Sequence, residues 1–247
     1  MSLTLRLAHL YPQHLNLYGD RGNVLALLQR MQWRGYTLEV HNIDLGASPQ
    51  LDAYDLYFMG GGQDAQQLAV EADLHQHKAD ALRAAAEAGV VFLTICGGYQ
   101  LLGHYYKPHQ GRELKGLSLI DAYTVAGPNR MIGNVLLERP DGSRVVGFEN
   151  HSGQTFLGEA VAPLGRVIQG YGNNGTDAFE GVVAGAIYGT YLHGALLPKN
   201  PSLTDELLLK ALQYRYGSQA PSTLPILDDT LEQRASQQVQ AQLLGTV

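Results

Sequence analysis

The sequence predicts an α/β protein: a doubly wound, mostly parallel sheet flanked by helices, with extra short strands in its second half. Three observations carry this expectation. Apolar, strand-like runs alternate with helix-like stretches through the first hundred residues. Two of those runs end in glycine-rich corners, Gly60-Gly61-Gly62 and Cys96-Gly97-Gly98. The run from Val90 to Ile95 is β-branched and apolar on both faces, as a buried central strand of a parallel sheet must be.

Taken in order, Leu3 to Leu10 reads as the first strand, followed by a loop from Tyr11 to Arg21. Val24, Leu25, Leu27, Leu28 and Met31 recur at helical spacing, which predicts an amphipathic helix ending before Gly35. Tyr36–Ile43 and Tyr54–Met59 read as the second and third strands. An alanine-rich helix is expected from about Glu71 to Ala88, with Gly89 as its C-cap. Beyond Gly116 the chain turns to short β-like runs at Ile132–Glu138, Arg144–Glu149 and Gly181–Tyr188, with Asp141-Gly142 as a hairpin turn. Helix returns at Asp205–Tyr216. Residues 1–217 read as one domain and 218–247 as a tail. In the tail Leu227, Leu231, Ala235 and Val239 recur every four residues, the spacing of a helix that packs on the body or on a partner.

Composition narrows the function. The 247 residues carry 17 basic and 23 acidic side chains, a net charge of −6. That balance argues against nucleic-acid binding as the main role. A single cysteine excludes an internal disulfide and a cysteine-based zinc site, and suits a reducing cytoplasm. The N-terminus shows no signal-peptide pattern, and no apolar stretch reaches the ~18 residues expected of a membrane span. No phosphate-loop pattern and no carboxylate–histidine set spaced for a catalytic metal occurs.

The lone Cys96 sits where a strand turns sharply into a helix, the place at which α/β enzymes hold a nucleophile out of the backbone. A lone cysteine is ordinarily a small core hydrophobe; the flanking strand and Gly-Gly corner argue here for a nucleophile. The following helix N-terminus favours thiolate. A nucleophilic thiol needs a base and an oxyanion pocket. Of nine histidines, His193 stands out, at the end of Gly185-Ala186-Ile187-Tyr188-Gly189-Thr190-Tyr191-Leu192-His193-Gly194. His151, in Phe148-Glu149-Asn150-His151-Ser152-Gly153, is its main rival. His75 and His77 are two apart on a helix and face different ways. The Gly60-Gly61-Gly62 loop ends a strand where backbone N–H groups could face an oxyanion.

Together these motifs resemble a known family. Cys96-Gly97-Gly98-Tyr99-Gln100 is similar to the Cys-x-Gly-x-Gln motif of class I glutamine amidotransferases. Leu17-Tyr18-Gly19-Asp20-Arg21-Gly22-Asn23, Gly60-Gly61-Gly62-Gln63-Asp64, Glu149–Gly153 and Tyr191-Leu192-His193-Gly194 resemble the cobyric-acid-synthase (CobB/CobQ) branch, over about residues 3 to 215. Within it, the chain is most similar to stand-alone glutaminase subunits that serve peptidoglycan synthesis. The resemblance implies that Cys96 attacks glutamine and His193 moves its proton. It further implies an oxyanion hole at N–H groups near Gly61 and Gly97, Gln100 holding the substrate, and Arg130 on its carboxylate. The implied partner is a separate Mur-ligase-like synthetase, which would carry ATP and metal and amidate D-glutamate of the lipid II stem peptide at the inner membrane face. No cofactor is expected in this chain. Another acceptor, such as a corrinoid precursor, and a non-catalytic regulatory subunit stand as alternatives. Many class I members follow the histidine with x-Glu, whereas Gly194-Ala195 follow here. An acid from the partner is therefore expected to orient His193, with Glu149 as the in-chain alternative.

Overall fold

In the computed structural model, which describes residues 3–50, 52–193 and 196–246, two sheets meet along the end that carries the glycine-rich corners. The first contains β1 (Thr4–Leu10), β2 (Thr37–Ile43), β3 (Leu56–Met59) and β4 (Val91–Ile95). Chain order then passes β5 (Tyr105–Lys107), β6 (Leu114–Lys115), β7 (Ala122–Glu138), β8 (Arg144–Leu157), β9 (Gly165–Gln169) and β10 (Phe179–Glu180) in the second sheet. It returns to the first with β11 (Val182–Ala184) and β12 (Ile187–Thr190).

The first sheet runs β11-β12-β4-β3-β1-β2. Pairing is parallel throughout except at β11, which closes one edge antiparallel to β12. Every residue of β3, β4 and β12 is buried, because helices cover both faces of such a sheet. The strand order reverses direction beside β1: β2 lies on one side of it and β3 on the other. Crevices at the carboxyl ends of strands beside such a reversal are where doubly wound sheets hold ligands.

Helix α1 (Arg21–Trp33) ends before Gly35, as its spacing predicts. The alanine-rich segment starts earlier than its composition suggests. Helix α2 (Asp64–Asp73) passes through a π-helical turn, Leu74–Lys78, into α3 (Ala79–Ala88). The wider turn lets the buried Lys78 ammonium fold back onto Asp73 and the Asp44 carbonyl, beneath the Tyr11 ring. Gly89 then caps α3 at φ 84°, a left-handed position that glycine takes without strain. The short α4 (Gly97–Leu102) follows Cys96, and α5 (Pro201–Tyr216) packs on the sheet.

The second half differs from the short runs read in the sequence. β7 spans 17 residues and β8 spans 14, paired antiparallel across the Asp141-Gly142 turn. Gly127, Gly133 and polar residues interrupt the alternation, and a register shift separates Ala126 from Met131. Backbone ladder bonds carry the strands through these interruptions, which side-chain patterning cannot reveal.

The tail also departs from its stripe. Helix α6 (Thr230–Leu244) buries Ser236, while Leu231 stays 75% exposed and Ala235 is exposed. Polar contacts decide its seat. Arg30, itself 3% exposed, grips Asp229 at 2.5 Å and Asp205 at 2.7 Å, and Arg34 donates to Asp205 at 2.6 Å and to the Pro225 carbonyl at 2.7 Å. Such charge-assisted forks fix orientation as well as position.

Candidate active site

Four loops leave the carboxyl ends of parallel strands and converge. The loop after β1 brings Tyr18 and Asp20, the loop after β3 brings Gly60–Gly62, β4 delivers Cys96, and the segment after β12 delivers His193. Gly194, next in that segment, lies outside the described residues, as does Ala195.

Cys96 has φ 48° and ψ −104°. A non-glycine residue in that region is strained, and strain of this kind marks a nucleophile corner. Its N–H donates to the Thr190 carbonyl at 2.8 Å and its carbonyl accepts from Gln100 N–H at 2.9 Å, so both neighbours hold the turn. The glycines around it are needed for close approach. A Cβ on Gly98 would sit 2.6 Å from the Met59 carbonyl oxygen, and one on Gly97 would sit 3.0 Å from the Gly62 nitrogen.

His193 is fully buried and tied by its N–H to the Phe148 carbonyl at 2.7 Å. Its Nδ1–H donates to Asp20, 3.0 Å from Oδ1 and 3.2 Å from Oδ2. Nε2 is left without a complete hydrogen bond, with the Cys96 thiol within electrostatic reach. A Cβ placed on Gly61 would meet His193 Cε1 at 2.5 Å, Cys96 Cβ at 3.2 Å and Asp20 Oδ2 at 3.3 Å. Thiol, imidazole and carboxylate thus crowd around one glycine. Burial by itself would lower the imidazole pKa; the Cys96 charge and the Asp20 hydrogen bond outweigh it and push His193 up to about 10.

Asp20 corrects the expectation that a partner acid, or Glu149, orients His193. The acid comes from this chain's own first loop. Glu149 is occupied elsewhere, accepting from Tyr171 N–H at 2.7 Å and Gly172 N–H at 2.9 Å. Its nearer histidine is the rival His151, with Nε2 3.5 Å from Oε2. His151 stacks on Tyr191 at 3.6 Å, and its Nδ1–H donates to the Gly153 carbonyl at 2.7 Å. It lines the cleft without joining Asp20.

The cleft over Cys96 has a volume of about 400 Å³, with Tyr18, Asp64, Gln67, Arg130, Asn150 and Ser152 among its walls. Arg130 stands at the exposed rim, donating from Nε to Asn150 Oδ1 at 2.6 Å and from Nη2 to the Tyr18 hydroxyl at 3.1 Å. Gln100 lines the cleft too, but its carboxamide is largely engaged. The oxygen accepts from Gln67 Nε2 at 3.0 Å and the amino group donates to the Tyr191 hydroxyl at 3.0 Å. Tyr191 is bonded onward to Thr155 at 2.6 Å, so Gln100 braces the wall.

Of the two glycines expected at an oxyanion hole, Gly97 opens α4 and its N–H has no intrahelical acceptor. Gly61 differs from expectation, because its N–H donates to Asp20 Oδ2 at 2.7 Å. The adjacent Gly62 N–H, which no described group accepts, lies beside Gly97. Sequence reasoning also passed over Tyr18, Asn150 and Gln67. The first two lie inside motifs already singled out, whereas Gln67 carried no signal on its helix.

Among the described residues no group of three or more His, Cys, Asp or Glu is placed to hold a metal. No helix there is long and apolar enough to cross a membrane.

Fold and site define a doubly wound α/β protein with a thiol at a nucleophile corner beside a buried His–Asp pair. The model of the CobB/CobQ-like glutamine amidotransferase domain matches residues 6–201. The chain belongs to that family and is a glutamine-hydrolysing enzyme. It is 42% identical over 209 residues to the GatD subunit of lipid II isoglutaminyl synthase (glutamine-hydrolyzing) from Staphylococcus aureus, covering 85% of each chain. The Streptococcus pneumoniae subunit of that name is 38% identical over 236 residues, covering 95% of this chain and 90% of the relative. Cobyric acid synthase from Pelotomaculum thermopropionicum aligns over 47% of this chain and 25% of its own length, at 38% identity. Among solved structures, PurLQS from Thermotoga maritima shares the fold at TM-score 0.56 and 17% identity, over 87% of this chain and 100% of that one. The glutaminase domain of Trypanosoma brucei CTPS does so at TM-score 0.54 and 13% identity, over 90% and 98%.

Proposed function

We propose that this chain is the glutaminase subunit of a two-subunit ligase, releasing ammonia from glutamine through a thioester on Cys96. The observation that carries the chemistry is the convergence of Cys96, His193 and Asp20 around Gly61. With its pKa raised to about 10, His193 holds a proton at neutral pH beside the thiol, the charge complement of a thiolate. The sulfur attacks the side-chain amide carbon, and the resulting oxyanion is met by the Gly62 and Gly97 N–H groups. The imidazolium gives its proton to the departing nitrogen, which leaves as ammonia. Water, deprotonated by the imidazole now left neutral, then opens the thioester and frees glutamate. Asp20 holds the ring with Nδ1–H inward, which presents Nε2 to the sulfur throughout. Arg130 at the rim is suited to the substrate's α-carboxylate, because a guanidinium binds a carboxylate bidentately. Gln100, braced by Gln67 and Tyr191, shapes the cleft and keeps one N–H for the substrate.

For the acceptor, the GatD relatives align over 85% to 95% of this chain and the cobyric acid synthase over 47%. This supports amidation of D-glutamate in the lipid II stem peptide by a Mur-ligase-like synthetase that binds ATP and its metal, at the inner membrane face. The test has two stages. Glutamate release is measured for the chain and for Cys96→Ala and His193→Ala; abolition by the first and a severe loss by the second are expected. Nitrogen-15 from the amide of glutamine is then followed into lipid II with the synthetase present. Transfer to a corrinoid precursor instead would replace the acceptor while keeping the mechanism.

A further inference from the structure

One turn of chain holds His193 from two sides. Asp20 takes Nδ1, and Tyr18, two residues earlier, sets its ring edge-to-face against the imidazole, with centroids 5.0 Å apart and planes at 76°. Tyr18 adopts φ 52° and ψ 30°, a left-handed conformation that is strained for a bulky residue. Such strain persists only where the surroundings impose it. Here Leu17 N–H is anchored on the Gly61 carbonyl at 3.1 Å, and the Tyr18 hydroxyl accepts from Arg130. The phenol therefore bridges a guanidinium at the cleft rim and a buried base on its floor.

We propose that Tyr18 is a positioning residue that couples carboxylate recognition at Arg130 to the alignment of His193. The coupling rests on the glutaminase reading above. Arg130 has five N–H donors; one goes to Asn150 and one to Tyr18, leaving three for a carboxylate. A carboxylate on those donors fixes the guanidinium plane, and with it the phenol and the ring that shields the imidazole from water. An amide lacking the α-carboxylate cannot tighten this linkage. The device selects amino-acid amides over simple amides, through the base as well as through binding.

The experiment compares hydrolysis of L-glutamine and of 4-aminobutanamide, which is glutamine without its α-carboxylate. Tyr18→Phe, which keeps the ring but loses the link to Arg130, should lower kcat/KM for glutamine about three- to tenfold, with part of the loss in kcat. It should leave 4-aminobutanamide hydrolysis unchanged and add nothing in an Arg130→Lys background. Tyr18→Leu, which lacks the ring as well, should lower kcat further on both amides, with Tyr18→Phe recovering only the part that the ring supplies. Equal losses on both amides from Tyr18→Phe, or additive losses with Arg130→Lys, would overturn the coupling. Failure of the glutaminase reading is a separate result, namely no turnover by the unsubstituted chain. The coupling is still decided then by NMR of His193 in the Cys96→Ala protein. Added glutamine should move the ring signals, and Tyr18→Phe should abolish the movement. No movement, or the same movement without the hydroxyl, would overturn it.

Discussion

Asp20 Oδ1 lies 3.0 Å from His193 Nδ1, although 173 positions separate the two residues and neither side chain is exposed. The carboxylate also accepts the Gly61 N–H, so it fixes the ring and the loop beside the thiol together. Asp20→Asn removes the charge and can turn an amide N–H toward the ring, which disfavours the tautomer needed at Nε2. We expect kcat for glutamine hydrolysis to fall by about 10²–10⁴-fold. An unchanged rate in a steady-state assay would show that the acid is dispensable.

Gly61 and Gly89 separate crowding from backbone strain. A methyl on Gly61 would press on His193 and Cys96, and displacing either by about an ångström costs on the order of 10² in rate. A methyl on Gly89 meets nothing within 4 Å, but φ 84° charges it roughly 1–2 kcal/mol. Gly61→Ala should therefore lose activity, and Gly89→Ala should lose melting temperature while keeping kcat. Calorimetry and a glutaminase assay on both variants would expose any reversal.

His193 makes stability depend on pH in a stated direction. Its folded pKa, about 10, lies above the ordinary 6.5. The stability it contributes is thus fully present below about pH 6.5 and is lost as pH rises through about 10. In urea unfolding, the difference between the chain and His193→Gln should shrink steadily over that window. A difference that grows with pH would mean that the ring is neutral in the fold.

Glu180 acts at the same carboxyl end of β12, where Thr190 and Tyr191 lead into His193. It is fully buried, accepting from Tyr191 N–H at 2.6 Å and from the Thr190 hydroxyl at 2.9 Å, and desolvation raises its pKa from 4.5 to about 8. The sign matches that of His193: its contribution is complete below pH 4.5 and declines as pH rises through about 8. Glu180→Gln keeps an acceptor for Tyr191 and has no proton to lose. Its stability should exceed that of the unsubstituted chain increasingly as pH rises over this interval, as read by unfolding at matched ionic strength.

Much of this molecule was legible in the residues themselves. An apolar run on both faces marked Val90–Ile95 as a central strand, and the Gly-Gly corner marked Cys96 as a candidate nucleophile, which the structure places in a strained turn, 8% exposed. The run Gly185–Gly194 pointed to His193 as the candidate base. In the β-rich half the ladder bonds of β7 and β8 override a broken alternation, so the strands run longer than their side chains suggest. The four-residue stripe of the tail marks its buried face only in part, with Leu227 and Val239 half-buried but Leu231 and Ala235 exposed, because Arg30 and Arg34 hold Asp229 and the Pro225 carbonyl through polar contacts that leave no periodicity.

By itself the sequence determined the class of fold and singled out Cys96 and His193 as the candidate pair, because apolar patterning and glycine corners are written into neighbouring residues. The tertiary structure alone decided which acid completes the set and which N–H groups remain free. Asp20 meets His193 because β1 and β12 run parallel in one sheet, with β3 and β4 between them, and their carboxyl ends open on the same edge. That neighbourhood arises from pairings between strands far apart in the chain, which no window along the chain contains.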